Sequence, residues 1–232
     1  MGAELRSNHP VALRGALAMP LFSVILCTYN RARLLPRALR SLLHQHWQDW
    51  EALLIDDGST DATPLLLAAA AAEEPRFRFF RISHRGAGAA RAFGVRRAQG
   101  SFITFLDSDD EYLPEHLEKR AIFLQQHPEV DFLHSSAEVV GNPFVPDRHN
   151  PRRWIPVSAC VIGGTFVIRR TLLLQLGYPS RRFADDAALY ERALRAGARI
   201  AFIDVPTYRY YRTTPDSLCT QYGNVSLSPA VQ

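Results

Sequence analysis

The sequence is poor in cysteine, in lysine and in long apolar runs, and each shortage excludes a class of protein. Its three cysteines are far apart and outside any Cys-x-x-Cys pair, which argues against a disulfide framework or a zinc site and favours a reducing compartment. The longest apolar runs, Leu21–Cys27 and Leu65–Ala72, are far shorter than the roughly 20 residues that cross a bilayer. With 47% hydrophobic and 22% charged residues, the 232-residue chain has the composition of an ordinary globular protein.

Lys119 is the only lysine among the 27 basic residues, and the formal net charge is +4. The many arginines accompany heavy use of alanine, as a GC-rich coding sequence would produce. The arginine pairs are dispersed and no basic run is interleaved with aromatics, so we expect no nucleic-acid partner. The basic charge and the absence of a secretory signal favour a cytoplasmic location, with peripheral association at the inner face of the cell membrane left open.

Strand and helix patterns alternate over the first part of the chain. The apolar run Leu21–Cys27 is typical of a strand buried on both faces, and the amphipathic segment Arg33–Trp47 is typical of a helix. Three more strand–helix pairs follow: Glu51–Ile55 with a helix that ends near Ala72, Arg78–Ile82 with Ala87–Ala98, and Phe102–Leu106 with Pro114–Gln126. Four such units in a row predict an α/β protein with a doubly wound, mostly parallel sheet.

The pattern loosens near residue 135, where a smaller half of mixed composition begins. Residues 141–156 are rich in Pro, Asn and Arg and are predicted to form a loop. Further elements are predicted at Thr165–Ile168, Asp185–Ala196, Arg199–Asp204 and Thr207–Tyr211. We expect a loose leader over residues 1–20, a single domain over 21–218 with halves 21–134 and 135–218, and a tail over 219–232.

Two acidic clusters follow predicted strands, Asp56-Asp57 and the run from Asp107 to Asp110. Ligands of doubly wound sheets bind outside the carboxyl ends of the strands, so these clusters mark the expected site. Neighbouring carboxylates repel each other, and a hard cation such as Mg²⁺ or Mn²⁺, held by one or two of them together with substrate phosphates, relieves that repulsion. The alternative is that Asp109 or Asp110 caps the helix that begins near Pro114.

Five segments together resemble glycosyltransferase family 2, and their order and spacing carry the resemblance over about residues 21–218. They are FSVILCTYNR (22–31), LLIDDGSTD (53–61), ARAFG (90–94), FLDSDD (105–110) and ADD (184–186). The resemblance implies the GT-A fold with an acceptor-side half. It also implies inverting transfer of a sugar from a nucleoside diphosphate, with a UDP-sugar expected, to a hydroxyl of a saccharide or lipid-linked saccharide. The expected setting is bacterial assembly of glycans or cell-surface polysaccharides.

The chemistry implied is that of a hexosyl- or N-acetylhexosaminyl-transferase. The QxxRW signature of processive polymer synthases is absent, so we expect transfer of one sugar. The resemblance implies that Asp57 accepts a hydrogen bond from the N3–H of a pyrimidine and that Tyr29 packs on the same ring. The residues expected to bind the nucleotide sugar are Cys27, Thr28, Tyr29, Asp57, Arg91, Asp107 and Ser108.

The run Asp107-Ser108-Asp109 matches the family's DxD motif. This match implies that Asp109 binds Mn²⁺ or Mg²⁺ directly and that Asp107 contacts the ribose or the cation, directly or through water. The cation would neutralise the leaving diphosphate. Gly163, Gly164 and Thr165 are expected either to line the acceptor pocket or to form a turn that enters a strand.

Asp186 falls where the family keeps its general base, which takes the proton from the acceptor hydroxyl. The alternative for Asp186 is a solvated acid at a helix start. Arg91 matches the arginine of an ARN segment and steadies the acidic cluster or a phosphate, the alternative being a surface arginine. Ala92 replaces a common Asn, and Thr214 stands near the position of a metal-binding histidine. These two departures support the alternative function, a non-catalytic nucleotide-sugar binder of the same fold.

Overall fold

The computed structural model describes residues 19–150, 152–179, 181, 183–213 and 219–220. Thr214 and most of the predicted leader and tail lie outside these residues. The strands are β1 (Phe22–Thr28), β2 (Trp50–Asp56), β3 (Phe77–Arg81), β4 (Phe102–Phe105), β5 (Glu111–Tyr112), β6 (Phe132–Ser135), β7 (Glu138–Gly141), β8 (Phe144–Pro146), β9 (Trp154–Pro156), β10 (Val167–Arg169), β11 (Ile200–Ile203) and β12 (Tyr208–Arg212). The α-helices are α1 (Leu35–Leu43), α2 (Thr63–Glu73), α3 (Ala87–Arg97), α4 (His116–Gln126), α5 (Arg170–Leu176) and α6 (Asp185–Arg195).

The main sheet has seven strands in the order β11-β6-β10-β4-β1-β2-β3. β10 runs antiparallel to both of its neighbours, β4 and β6, and the other neighbouring strands pair in parallel. This order confirms the predicted α/β fold with a mostly parallel sheet. β10 belongs to the second predicted half. It pairs with β4 of the first half and with β6, which crosses the predicted boundary between residues 134 and 135. The two predicted halves therefore share one sheet.

Alternate residues of β1 pack into two apolar cores, one on each face of the sheet. Val24 and Leu26 lie in the core formed with α1, α2 and α4. Ile25 lies in the core formed with α3, α5 and α6. Because successive side chains of a strand point to opposite faces, a continuous apolar run is what a strand covered by helices on both sides requires. The strands are thereby held so that their carboxyl ends meet at one edge.

The second half contains elements that the sequence pattern does not predict. β8 and β9 form an antiparallel hairpin within residues 141–156, which were expected to be a loop. β7 is also unpredicted, and it forms a separate three-stranded sheet with the predicted strand β12 and with β5, a two-residue strand of the first half. Strands of two to four residues are too short to show an alternating pattern, so their pairing depends on contacts made in the folded chain. Within the described ranges, no helix is long and apolar enough to cross a membrane.

Candidate active site

A cleft of about 1440 Å³ opens at the carboxyl ends of β1, β2 and β4. All of the residues predicted for the site line this cleft: Cys27, Thr28, Tyr29, Asp57, Arg91, Asp107, Ser108, Asp109 and Asp186. Their positions in the chain span about 160 residues, and the parallel arrangement of the strands brings them to one edge of the sheet. The fold therefore assembles the predicted set, and the role of each residue stays a prediction.

At one end of the cleft, the carboxylate of Asp57 is buried and held by main-chain donors. Its two oxygens accept the N–H groups of Arg85 at 2.9 Å and Gly86 at 2.8 Å. His84 Nδ1 lies 2.9 Å from Asp57 Oδ2, and the ring of Tyr29 stacks on His84 with 4.0 Å between centroids. A carboxylate accepts about four hydrogen bonds, so one N–H of a ligand can still be accepted here. Beyond its position after β3, no sequence pattern marks His84 as a site residue.

Asp56, the neighbour of Asp57, forms the turn that follows β2. It is fully buried, and its Oδ1 accepts the Ser59 N–H at 3.1 Å while its Oδ2 lies 3.2 Å from Arg81 Nε. Gly58 in this turn has φ +76°, and a Cβ there would lie 2.8 Å from the backbone nitrogen of His84. Only glycine fits that conformation and that contact, so the turn is specified locally.

Asp107 and Asp109 lie close together on the floor of the cleft. Burial, together with the charge of Asp107, raises the pKa of Asp109 to about 6. Arg37, a residue of α1 with no sequence signal for the site, donates to the main-chain carbonyl of Asp109. The two carboxylates, Asp107 and Asp109, therefore carry unfavourable negative charge at neutral pH, which a cation would offset.

Asp110 has a structural position. It is 1% exposed, and its oxygens accept the Tyr208 hydroxyl at 2.5 Å and the Tyr211 N–H at 2.7 Å. Glu115 occupies the N-cap position of α4, and that helix has no side-chain cap hydrogen bond. The alternative that Asp109 or Asp110 caps this helix is therefore wrong.

Arg91 connects the two acidic parts of the cleft. Its guanidinium donates to Asp107 Oδ1 at 2.5 Å and to Asp185 Oδ2 at 2.6 Å. Asp185 Oδ2 also accepts the Tyr178 hydroxyl at 3.0 Å. The arginine side chain is only 13% exposed, so the surface-arginine alternative is wrong. Arg91 steadies the acidic cluster, and it holds α6 against the end of β4.

Asp186 is the second residue of α6, and its carboxylate contacts the turn that precedes β10. Its Oδ2 accepts the Gly163 N–H at 3.2 Å, and its Oδ1 accepts the Ala187 N–H at 2.7 Å. Burial, together with the charge of the neighbouring Asp185, raises the pKa of Asp186 to about 6. Ala184, just before the helix, has φ +54°, an unusual value for a residue with a Cβ. This half-buried carboxylate, with its raised pKa and its two main-chain donors, differs from a solvated acid at a helix start.

The remaining predicted residues add neutral surface to the cleft. Burial raises the pKa of Cys27 to about 12, so its thiol stays protonated and packs as a small apolar group. Ser108 is buried, and the buried Thr28 Oγ1 has no hydrogen-bond partner among the described residues. A polar atom left in this state is available to a ligand in the cleft.

The donor set of the cleft fits a divalent cation that completes its coordination with substrate. No group of three or more His, Cys, Asp or Glu within the described ranges is arranged to hold a metal ion. Asp107 and Asp109 offer two carboxylates, which is the usual protein share for Mg²⁺ bound together with phosphates and water. The raised pKa of Asp109 adds support, because burial and the charge of Asp107 both disfavour its ionised form, which a bound cation would favour.

Tyr208 is expected to stabilise the floor of the cleft, since its hydroxyl is the buried donor to Asp110. Tyr208→Phe leaves that carboxylate without one partner and should lower the free energy of unfolding by about 1–3 kcal/mol. The matched control is Tyr211→Phe, which removes a less buried hydroxyl that donates to Glu111 at 2.9 Å, and it should cost less than about 1 kcal/mol. Urea unfolding of both variants measures the difference, and equal losses would contradict the assignment.

Comparison with known proteins identifies the family. The model of Glycosyl transferase family 2 matches residues 23–196, so the chain belongs to that family. It is 35% identical over 186 residues to the putative teichuronic acid biosynthesis glycosyltransferase TuaG of Bacillus subtilis, covering 77% of this chain and 73% of the relative. It is 28% identical over 165 residues to the beta-1,3-glucosyltransferase WfgD of Escherichia coli, with coverages of 68% and 64%.

Other relatives match over a shorter part of their length. An uncharacterized glycosyltransferase of Haemophilus influenzae is 41% identical over 110 residues, which are 47% of this chain and 44% of that protein. The chain thus spans less than half the length of the first curated relatives that it matches.

Solved structures confirm the GT-A fold. S. aureus TarS in complex with UDP-GlcNAc superposes with a TM-score of 0.70 at 24% identity, covering 85% of this chain and 60% of that one. The mannosyltransferase PcManGT of Pyrobaculum calidifontis, in complex with GDP-Man and Mn²⁺, superposes with a TM-score of 0.66 at 25% identity, with coverages of 86% and 58%.

Proposed function

We propose that the protein is an inverting, metal-dependent glycosyltransferase that moves one sugar from a nucleoside diphosphate sugar to an acceptor hydroxyl. A UDP-sugar is the proposed donor, and a saccharide or lipid-linked saccharide is the proposed acceptor, in the assembly of a bacterial polysaccharide. The observation that carries the proposal is a pair of carboxyl groups in one cleft, Asp109 and Asp186, whose pKa values burial raises to about 6. Acids with perturbed pKa values that line one cleft are typical of catalytic sites.

The donor would bind along the ends of β1, β2 and β4. Asp57 would accept the base N–H with its remaining acceptor site, and Tyr29, 40% exposed and backed by His84, offers a ring face for the base. α3 begins at Ala87, and Ala87 and Gly88 line the cleft, so the N-terminus of α3 lies at the cleft wall. The N-terminus of a helix favours negative charge.

Asp107 and Asp109 would hold Mn²⁺ or Mg²⁺. When bound, the cation supplies Lewis-acid stabilisation of the leaving diphosphate. Arg91 fixes the orientation of Asp107 through its 2.5 Å contact. The structure of the mannosyltransferase PcManGT, which is similar to this chain, contains Mn²⁺, and that similarity supports the assignment of a cation.

Asp186 would act as the general base. Its carboxylate is fixed by the Gly163 and Ala187 N–H groups, and a raised pKa makes it a stronger base than an ordinary aspartate. A single carboxylate on the acceptor side suits direct displacement from the face opposite the diphosphate, which inverts the anomeric centre. Asp185, paired with Arg91, keeps a separate, positioning role.

The test is a panel of UDP-glucose, UDP-GlcNAc and GDP-mannose, each with and without Mn²⁺, scored by nucleotide release and by mass spectrometry of the product. Cation-dependent transfer supports the proposal, and NMR of the anomeric proton reports inversion. Cation-dependent binding without turnover on any acceptor would favour the alternative, a nucleotide-sugar binder. Absence of both binding and turnover would overturn both functions.

The proposed location is cytoplasmic, with peripheral association at the inner face of the membrane. Support comes from the net charge of +4 and from WfgD, whose name describes an acceptor linked to diphosphoundecaprenol. Sedimentation with anionic and neutral vesicles at low salt tests the association. No pelleting with either kind of vesicle would count against it.

The pH dependence of turnover should follow ionisation of Asp186. Because the base must be deprotonated, kcat should rise with pH through about 6 and reach a plateau above about pH 7. The dissociation constant of Mn²⁺, measured across the same pH range, separates the titration of Asp109 from that of Asp186. A flat kcat profile down to about pH 4.5 would contradict the assignment of Asp186.

A further inference from the structure

A second cavity, of about 500 Å³, lies beside the cleft and has no part in the proposed mechanism. It lies at the carboxyl ends of β6 and β11, which pair in parallel with Ser135 opposite Ile203. β6 runs parallel to β4, because both are antiparallel to β10. The second cavity therefore opens on the same edge of the sheet as the active-site cleft. Its volume is within the range of about 300–1,000 Å³ of small-molecule sites.

The cleft and the second cavity share a wall. The residues that line both are Val157, Ala159, Cys160, Val161 and Ile162. Gly163 follows this wall directly and donates its N–H to Asp186. Along the edge of the sheet, the nucleotide region is therefore followed by the proposed base, Asp186, then by the shared wall, and then by the second cavity. A molecule whose hydroxyl reaches Asp186 would extend toward the second cavity.

The lining of the second cavity is uncharged apart from one carboxylate. None of its described residues is lysine or arginine, and Asp204 is exposed within it, so a phosphate or diphosphate would be repelled. His134 is partly buried, and burial lowers its pKa, which keeps the ring neutral at pH 7. The lining thus excludes an anionic ligand and favours a neutral one.

Three side chains of the second cavity suit a pyranose ring. Phe202 is 57% exposed, although it lies beside His134 with 5.2 Å between ring centroids, and it offers a flat apolar face. Ser136 Oγ is buried and has no hydrogen-bond partner within the part of the chain that the structure describes. The Asp204 carboxylate can accept hydrogen bonds from sugar hydroxyls. An apolar face together with a few convergent polar groups is the pattern of a specific small-molecule site.

We propose that the second cavity binds the second sugar ring of an oligosaccharide acceptor, with Phe202 under the ring and Ser136 and Asp204 at its hydroxyls. This inference rests on the proposed function, because it places the acceptor's reacting ring at Asp186. A site for the second ring would make the protein selective for an acceptor of at least two sugars. The sugar next to the reacting one then contributes binding energy through this cavity.

Saturation-transfer NMR with defined saccharides tests the proposal. The probes are the methyl glycosides of glucose, galactose and N-acetylglucosamine and their β-1,3- and β-1,4-linked disaccharides, with UDP present. At least one disaccharide should bind about tenfold more tightly than the methyl glycoside of its reacting sugar. Phe202→Ala should remove this advantage, a tenfold loss that corresponds to about 1.4 kcal/mol, and leave UDP binding unchanged.

Two further variants separate a binding role from a structural one. Leu65→Ala truncates a 74% exposed side chain outside both cavities and should change no affinity. Ser136→Ala removes a hydroxyl that contributes no hydrogen bond to the fold, so it should weaken disaccharide binding without lowering the melting temperature. A lower melting temperature with unchanged disaccharide affinity would overturn the role of Ser136.

The outcomes distinguish this inference from the proposed function. UDP binding with equal disaccharide affinity in wild type and Phe202→Ala overturns the second-ring site and leaves the glycosyltransferase proposal standing. UDP binding with no detectable saccharide binding also overturns the second-ring site. If the wild-type protein does not bind UDP, that result would instead contradict the proposed function.

Discussion

Asp186→Asn should lower kcat by about 10²–10⁴-fold and leave the dissociation constant of the donor within a factor of two. The amide cannot take the acceptor's proton, whereas the donor is expected to contact the ends of β1, β2 and β4. Two effects on stability oppose each other. The variant removes an ionised carboxylate whose pKa burial raises to about 6, and it weakens one of the hydrogen bonds from Gly163 and Ala187. The melting temperature should therefore change by less than about 3 °C.

Asp185→Asn is the matched control for this variant. It makes the same change at the neighbouring position, but it removes the negative charge that pairs with Arg91 and accepts the Tyr178 hydroxyl. The melting temperature should fall, because a buried guanidinium loses one of its two carboxylate partners. Calorimetry and steady-state kinetics measure both variants. A larger loss of kcat in Asp185→Asn than in Asp186→Asn would reverse the roles assigned to the two acids.

Asp109→Asn should reduce kcat/KM by about 10³-fold or more, since the cation and the leaving diphosphate then lose a charged ligand. Without metal, the same change should raise the melting temperature, because burial and Asp107 together make the ionised Asp109 unfavourable. The rise expected for each kcal/mol recovered is about 2–4 °C. Addition of Mn²⁺ and UDP should then stabilise the wild type and leave the variant unchanged.

Glu115→Gln is the matched control for Asp109→Asn. It also removes one negative charge, here from the N-cap residue of α4. Glu115 does not line the cleft. We expect wild-type kinetics and a wild-type response to Mn²⁺. If Asp109→Asn keeps a cation response equal to that of Glu115→Gln, the metal assignment is wrong. Thermal-shift titration at fixed UDP concentration measures the response in each protein.

The sequence predicts the nucleotide half well because the strands there are buried on both faces. A strand such as β1 must be apolar along its whole length, and the first polar residue then marks its carboxyl end and the site. Asp57 and Asp107 could be placed in one cleft on this reasoning alone. The assignment of Asp186 depends on the family resemblance, since a helix-start acid has no distinctive pattern.

The contacts that support these residues could not be predicted from the sequence. Tyr208 reaches Asp110 across 98 positions of the chain, and its ring fills the space where a Cβ of Gly164 would lie, 2.1 Å from Tyr208 Cζ. Neither residue shows a periodic signal, because each is selected by its neighbour in the folded structure. The hairpin of β8 and β9 was hidden for a related reason, since three-residue strands resemble a loop.

The reversed direction of β10 has a consequence for altering the protein by design. Since β10 runs against β4 and β6, its first residue lies at the edge of the sheet where those strands end. The stretch from the end of β6 to the start of β10, residues 136–166, thus leaves the main sheet and returns to it at the same edge. Segments of different length or sequence can be exchanged there between relatives without cutting a strand of the main sheet, which makes this stretch a natural unit for grafting new selectivity onto an unchanged scaffold.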